Sequence, residues 1–159
     1  MSAKGFYLAQ EGHVVPLILP ADITGGKLSP AFSLGAWAHV SILLSIGVSA
    51  AAPGAITLNA CTDATGANPV AIPFDIFTCE TSNTDVLGPR VPLTAAGYVP
   101  SPNDGIFYVI ELDAAKLAVL GKSYLQLAIA NGVNSVIASA VAILSAGRFG
   151  GESSATVLT

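Results

Sequence analysis

The chain is 159 residues long, carries a net charge of -4, and is 52% hydrophobic but only 10% charged. That length suits one domain with one core, and a charged fraction so far below the roughly 25% of soluble domains excludes intrinsic disorder. The basic residues Lys4, Lys27, Arg90, Lys116, Lys122 and Arg148 stand singly, so no cluster exists to neutralise a nucleic-acid backbone, and nucleic acid is not an expected partner.

In chain order, residues 1–30 are mixed. The N-terminus has no apolar core of the signal-peptide kind. An apolar run at Val14–Leu19, interrupted by Pro16 and followed by Pro20, reads as an extended arm or an edge strand, because proline is confined to sheet edges. Gly25-Gly26 follows as a flexible connection.

The clearest periodicity lies at 38–48. Ala38, Val40, Ile42, Leu44, Ile46 and Val48 alternate with Trp37, His39, Ser41, Ser45 and Gly47, which predicts a strand with one face on a core and the other partly polar. Pro53-Gly54 marks a turn, and Ile56–Ala60 alternates again. Asp63 to Pro69 is rich in turn-forming residues and reads as a hairpin loop. Val70, Ile72, Phe74 and Ile76 then alternate, with Pro73 pointing to an edge strand or a bulge. Residues 80–105 are loop-like, with a short strand near Val91–Leu93.

Ile106–Leu112 is β-branched and aromatic, hence a strand. Asp113 is placed to cap one short helical turn at 114–120, closed by Gly121. Tyr124–Ala130 is a strand, and Asn131-Gly132 a turn. Val133–Ala146 fits a helical face or an alternating strand; its neighbours are strands on short turns, so a strand is expected. The tail from Gly147 is small, polar and expected to be extended. About seven short strands at regular spacing predict an all-β fold, a β-sandwich or jelly roll. The domain reading is an N-terminal arm or edge strand at 1–30, a single sandwich at 31–151 and a tail at 152–159.

High hydropathy raises the question of a membrane span. The stretches between Lys27 and Asp63 and between Lys122 and Arg148 carry no Asp, Glu, Lys or Arg. Both are interrupted by polar residues, such as Ser41, Ser45 and Ser49 in the first and Asn131 and Asn134 in the second. Neither has a flanking Lys/Arg cluster, so no membrane partner is expected.

Groups able to do chemistry are sparse. His13 and His39 share no local motif, and His39 on the polar strand face reads as a surface or interface residue. Cys61 and Cys79 form no CxxC pair and cannot complete a zinc site; free buried thiols are expected, with a lone disulfide as the alternative. The carboxylates Asp63, Asp75, Glu80, Asp85, Asp104, Glu111 and Asp113 fall in loops and strand ends, and none is marked as half of an acid–base pair. Neither glycine-rich site matches a phosphate loop. No enzyme, cofactor or metal is expected.

The segments Ile106-Phe-Tyr-Val-Ile-Glu-Leu-Asp-Ala-Ala-Lys-Leu117, Tyr124-Leu-Gln-Leu-Ala-Ile-Ala-Asn131 and Ser135–Gly151, with the strand pattern from Trp37 to Val48 and Ile56-Thr57-Leu58, together resemble small virion proteins of tailed bacteriophages. The resemblance spans residues 35–151 and is one of strand pattern. It implies a capsid cement, or decoration, protein: a jelly-roll-like homo-oligomer, dimer or trimer, on the outside of the phage head, with the major capsid protein as its partner and no catalytic residues. A tail, baseplate or fibre subunit and a carbohydrate-binding jelly roll are the alternatives. Expected partner contacts are Trp37 and His39 on the polar strand face, Val14 and Leu17 in the N-terminal run, and Arg148 and Phe149 near the C-terminus.

Overall fold

The structure, a computed structural model, describes Gly5 and residues 7–148. Eleven strands make up nearly all of its regular structure: β1 (His13–Asp22), β2 (Lys27–Leu28), β3 (Phe32–Ser33), β4 (Trp37–Ser49), β5 (Ile56–Cys61), β6 (Val70–Ile72), β7 (Phe74–Cys79), β8 (Val91–Leu93), β9 (Ile106–Asp113), β10 (Tyr124–Ile129) and β11 (Val136–Gly147). Two four-residue helices accompany them, α1 (Leu8–Glu11) and α2 (Ala115–Ala118). No helix among the described residues is long and apolar enough to cross a membrane.

The strands form two antiparallel sheets. One has six strands in the order β1-β11-β4-β9-β7-β8; the other runs β2-β10-β5-β6, with β3 also paired to β10. Set aside the β7–β8 hairpin and count β2 and β3 as one interrupted strand. Eight principal strands then remain, and in chain order they read 1-8-3-6 in one sheet and 2-7-4-5 in the other. That interleaving is a jelly roll. The inserted hairpin widens the first sheet beyond β9.

Alternation explains the layers. Val40, Ile42, Leu44 and Ile46 of β4, Ile106, Tyr108, Ile110 and Leu112 of β9, and Ala138, Ala140, Ala142 and Leu144 of β11 are all buried and face inward. Leu58, Ala60, Leu125, Leu127 and Ile129 answer them from the second sheet. The alanines of β11 lie in the interior beside the longer chains of β4, an alternation of small and large that lets two sheets interdigitate.

Several local features depart from what the alternation predicts. Of the two readings of the N-terminal segment, the edge strand is the one seen at residues 13–22: β1 pairs with β11 from His13↔Leu144 to Asp22↔Ile137 and forms one edge of the larger sheet. Pro73 does not sit within an edge strand. It separates β6 in one sheet from β7 in the other, and the chain changes layer there because Pro can offer no N–H to either ladder. Val48 falls out of the β4 core face and is 72% exposed. Between Ala138↔Ile46 and Val136↔Ser49, β4 advances three residues against two on β11, a bulge that turns Val48 outward.

The ambiguous run at 133–146 is strand from Val136 onward, as β11, and residues 133–135 belong to the turn before it. The short helix comes where expected, and Gly121, at φ +66°, closes it. Its N-cap position is Ala114, without a side-chain cap, and Asp113 is engaged elsewhere. On the smaller sheet, Ser29 bridges the gap between β2 and β3: its N–H donates to Leu127 O, and its buried hydroxyl accepts from Leu127 N–H at 2.9 Å. A side chain thereby replaces one rung of the ladder.

Loop 80–105 is held down by one carboxylate. Glu80 Oε1 accepts from the Tyr98 hydroxyl at 2.6 Å and from the Tyr108 hydroxyl at 2.9 Å, while Asn103 Nδ2 donates to Glu80 O. Burial disfavours the ionised Glu80, but hydrogen bonds from Tyr98 and Tyr108, with Ser101 adding to them, outweigh it and hold its pKa below the ordinary value. Burial, then the bond to Glu80 and its charge, push the Tyr98 phenol up to about 12. At the hairpin loop between β5 and β6, Asp63 Oδ1 accepts from Thr65 N–H, Thr65 Oγ1 and Ala67 N–H, the turn the sequence calls for.

Candidate functional site: the outer face of the six-stranded sheet

On a strand, residues two apart share a face, and in an antiparallel pair directly opposite residues do too. The residues of the larger sheet that point away from the core are therefore fixed by register. Pro16↔Val141, Val141↔Leu43, Leu43↔Val109 and Phe77↔Val109 are each paired. They make one continuous apolar row, Pro16–Val141–Leu43–Val109–Phe77, straight across five strands. Leu43 is 41% exposed at its centre. The next row toward the β9 C-terminus reads Val14, Ile143, Ser41, Glu111 and Asp75.

Beyond it lies the charged corner. His39 donates from Nε2 to Glu111 Oε2 at 2.6 Å and from Nδ1 to Asp113 Oδ1 at 2.7 Å, and Ser41 Oγ donates to the same Glu111 oxygen at 2.6 Å. Both ring nitrogens face carboxylate oxygens, an arrangement that favours the protonated imidazole. Burial works against that charge, but the bonds to Asp113 and Glu111 and their negative charges outweigh it, and the His39 pKa is raised. Arg90 Nε pairs with Asp75 Oδ2 at 3.1 Å beside this group. The two carboxylates grip the ring from opposite nitrogens, so they do not converge on a common point. No group of three or more His, Cys, Asp or Glu residues among those described is arranged to hold a metal ion.

On the other side of the apolar row the face sinks into an open depression of about 490 Å³, lined by Pro20, Leu43, Ser45, Gly47, Phe107, Ile137 and Ser139 among others. Gly47 and the two serines leave the floor low, while Phe107 and Ile137 form the walls. The face is thus tripartite: a charged corner, an apolar row and an uncharged hollow.

The expected contact residues are divided by the fold. His39 and Val14 lie on this face, and Val14 is 43% exposed. Arg148 is exposed at the end of β11, where its N–H donates to Ala36 O. Leu17 is buried in the core beside Ile18, at an irregularity of the β1–β11 pairing. Trp37 is only 8% exposed and stacks on His13, with ring centroids 6.1 Å apart and planes at 12°. Neither Leu17 nor Trp37 presents its side chain for a surface contact. Phe149 lies outside the described residues.

Glu111 and Asp113, unmarked in the sequence, complete the charged corner; they lie 72 and 74 residues from His39, and only the β4–β9 register joins them. Cys61 and Cys79 are free and buried. Burial pushes the Cys61 thiol pKa up, and Cys79 Sγ sits 3.3 Å from Thr84 Oγ1. Both have the environment of packing residues.

No family model matches the chain. No curated protein sequence matches it. Among solved structures it is similar to the SPBc2 prophage-derived protein YomS, at a TM-score of 0.44 and 14% identity, over 83% of this chain and 94% of that one.

Proposed function

We propose that this chain is a structural virion protein, a capsid cement protein that binds the outside of a phage head as a homo-oligomer and bridges major capsid subunits. It works by binding, without catalysis or a cofactor. The observation that carries this reading is the outer face of the six-stranded sheet. A continuous apolar row spans five strands of a chain with only 10% charged residues. Such a face is built to be covered. The jelly roll suits the role, and the strand-pattern resemblance to small virion proteins points the same way. On a repeating lattice, many modest contacts add up through effective concentration.

The test is co-sedimentation and size-exclusion chromatography of the purified chain with purified, emptied heads of tailed phages. Saturable binding at a fixed number of copies per capsid subunit supports the role. Absence of binding to shells at saturating concentration overturns it. Copy number separates cement from a tail, baseplate or fibre subunit, since cement follows the hundreds of capsid subunits and tail parts do not.

A further inference from the structure

We infer that the outer face of the six-stranded sheet is a two-fold interface between two copies of this chain, with the symmetry axis running along the row Pro16–Val141–Leu43–Val109–Phe77. This deepens the reading of the chain as an assembly protein by naming what covers its apolar face.

Size is the first argument. From His39 to Gly47 the outward residues of β4 extend roughly 26 Å, and five strands with their side chains span roughly 24 Å. The whole face therefore offers about 600 Å² per copy, which doubled reaches the lower bound of specific interfaces, near 1,200 Å². A narrow peptide laid in the hollow would leave most of the row bare. Shape is the second. A twisted sheet packs best on another of the same twist, and a second copy supplies that surface by identity.

Complementarity then selects the axis. An axis along β4 would lay His39 on His39 of the other copy, placing two protonated rings together. An axis along the apolar row reverses the face end for end. Val141, Leu43 and Val109 then meet their own counterparts, Ser41 meets Ser45, and His39 falls on Gly47. The hollow at Gly47 thus lies opposite the ring that projects between Glu111 and Asp113. Each copy inserts its His39 ring into the other's hollow, which no charged side chain lines, and the two imidazoles are kept apart. Isologous contact of this kind closes at two copies.

Light scattering on the full chain tests this directly. The expected mass is twice the 16.0 kDa of one chain. Leu43→Asp should halve the mass while leaving far-UV circular dichroism and the melting temperature of the monomer intact. Since a misfolded Leu43→Asp would prove nothing, Leu43→Ser and Gly47→Phe provide two milder disruptions. Faces packed about 10 Å apart also bring Leu43→Cys, and separately Val109→Cys, within reach of a short bis-maleimide on its own counterpart. The wild type should not cross-link, because Cys61 and Cys79 are buried. A wild-type monomer overturns the interface, as does a dimer untouched by folded variants at Leu43 and Gly47. Cross-linking of Val109→Cys only with Val141→Cys would overturn the axis. Shell binding is a separate readout. A dimer that ignores shells keeps the interface and discards the cement role; a monomer that coats shells does the reverse.

Discussion

Removing the hydroxyl of Tyr108 tests whether loop 80–105 is held by Glu80. Tyr108 is fully buried, and its hydroxyl donates to Glu80 Oε1 at 2.9 Å. Tyr108→Phe keeps the ring and its packing, including the edge-on contact with Tyr98 at 5.5 Å between centroids, so no cavity is opened. What is lost is one hydrogen bond to an ionised group, worth about 1.5–3 kcal/mol in general. The lower end applies, because Glu80 retains access to solvent and to Tyr98. The expected loss is about 1.5 kcal/mol, or about 3–6 °C in melting temperature for a chain of this size, read by urea and thermal unfolding. Tyr98→Phe should cost a similar amount, and a double-mutant cycle should show coupling, since both hydroxyls share one oxygen. The pH dependence gives an independent sign. The folded pKa of Glu80 lies below its ordinary value, so its contribution is present above the unfolded pKa and is lost as pH falls through the folded one. The Tyr98→Phe/Tyr108→Phe double variant should therefore lose less stability on acidification than wild type. A Tyr108→Phe within 0.3 kcal/mol of wild type (about the error of such measurements), with an unchanged acid limb, would refute the role given to this carboxylate.

Two further outcomes follow from the charged corner and the turn before β11. The pKa of His39 is raised, so the stability drawn from its two carboxylate bonds is full below its ordinary value and declines as pH rises through the folded pKa. Urea midpoints should fall from near neutrality upward in wild type and stay flat in His39→Gln; parallel slopes would show that the cluster contributes nothing. Val133 is exposed at φ +72°, a conformation that β-branched residues resist at a cost of roughly 1–2 kcal/mol. Val133→Asn should raise the melting temperature by about 2–4 °C, and an unchanged or lowered value would count against strain at that turn.

The strands were readable wherever one face is uniformly apolar. Val40 to Ile46, Ile106 to Leu112 and Tyr124 to Ile129 alternate cleanly because one side packs on the opposite sheet. Strand β11 was harder. Both of its faces carry apolar residues, so Val133, Val136, Ile137, Ala140, Val141 and Leu144 also fit a helical stripe, and only the short turns beside it favour a strand. Val48 leaves the core face because a bulge adds a residue that no period-2 pattern can register. The candidate site was less legible than the fold. His39 stands out by residue type, but Glu111 and Asp113 become its partners only through the β4–β9 pairing. The apolar row is likewise invisible along the chain, since Pro16, Leu43, Phe77, Val109 and Val141 contribute one residue each from five separate strands. Asp113 carries the clearest lesson: a position suited to a helix cap was claimed by an imidazole lying across the sheet.

The prolines at the margins of the two sheets have a bearing on solubility. Pro16 and Pro20 lie in β1 and Pro92 in β8, the two borders of the larger sheet; Pro69 and Pro73 bracket β6, and Pro30 separates β2 from β3, at the borders of the smaller. A proline cannot donate to a ladder, so each border presents a broken row of N–H groups to any approaching strand. A protein this apolar, made at high concentration, would otherwise be open to open-ended strand addition and fibrils. With its borders interrupted, growth by backbone pairing is poorly supported from any side, and refolding from denaturant at high concentration should yield soluble protein without thioflavin-positive aggregates.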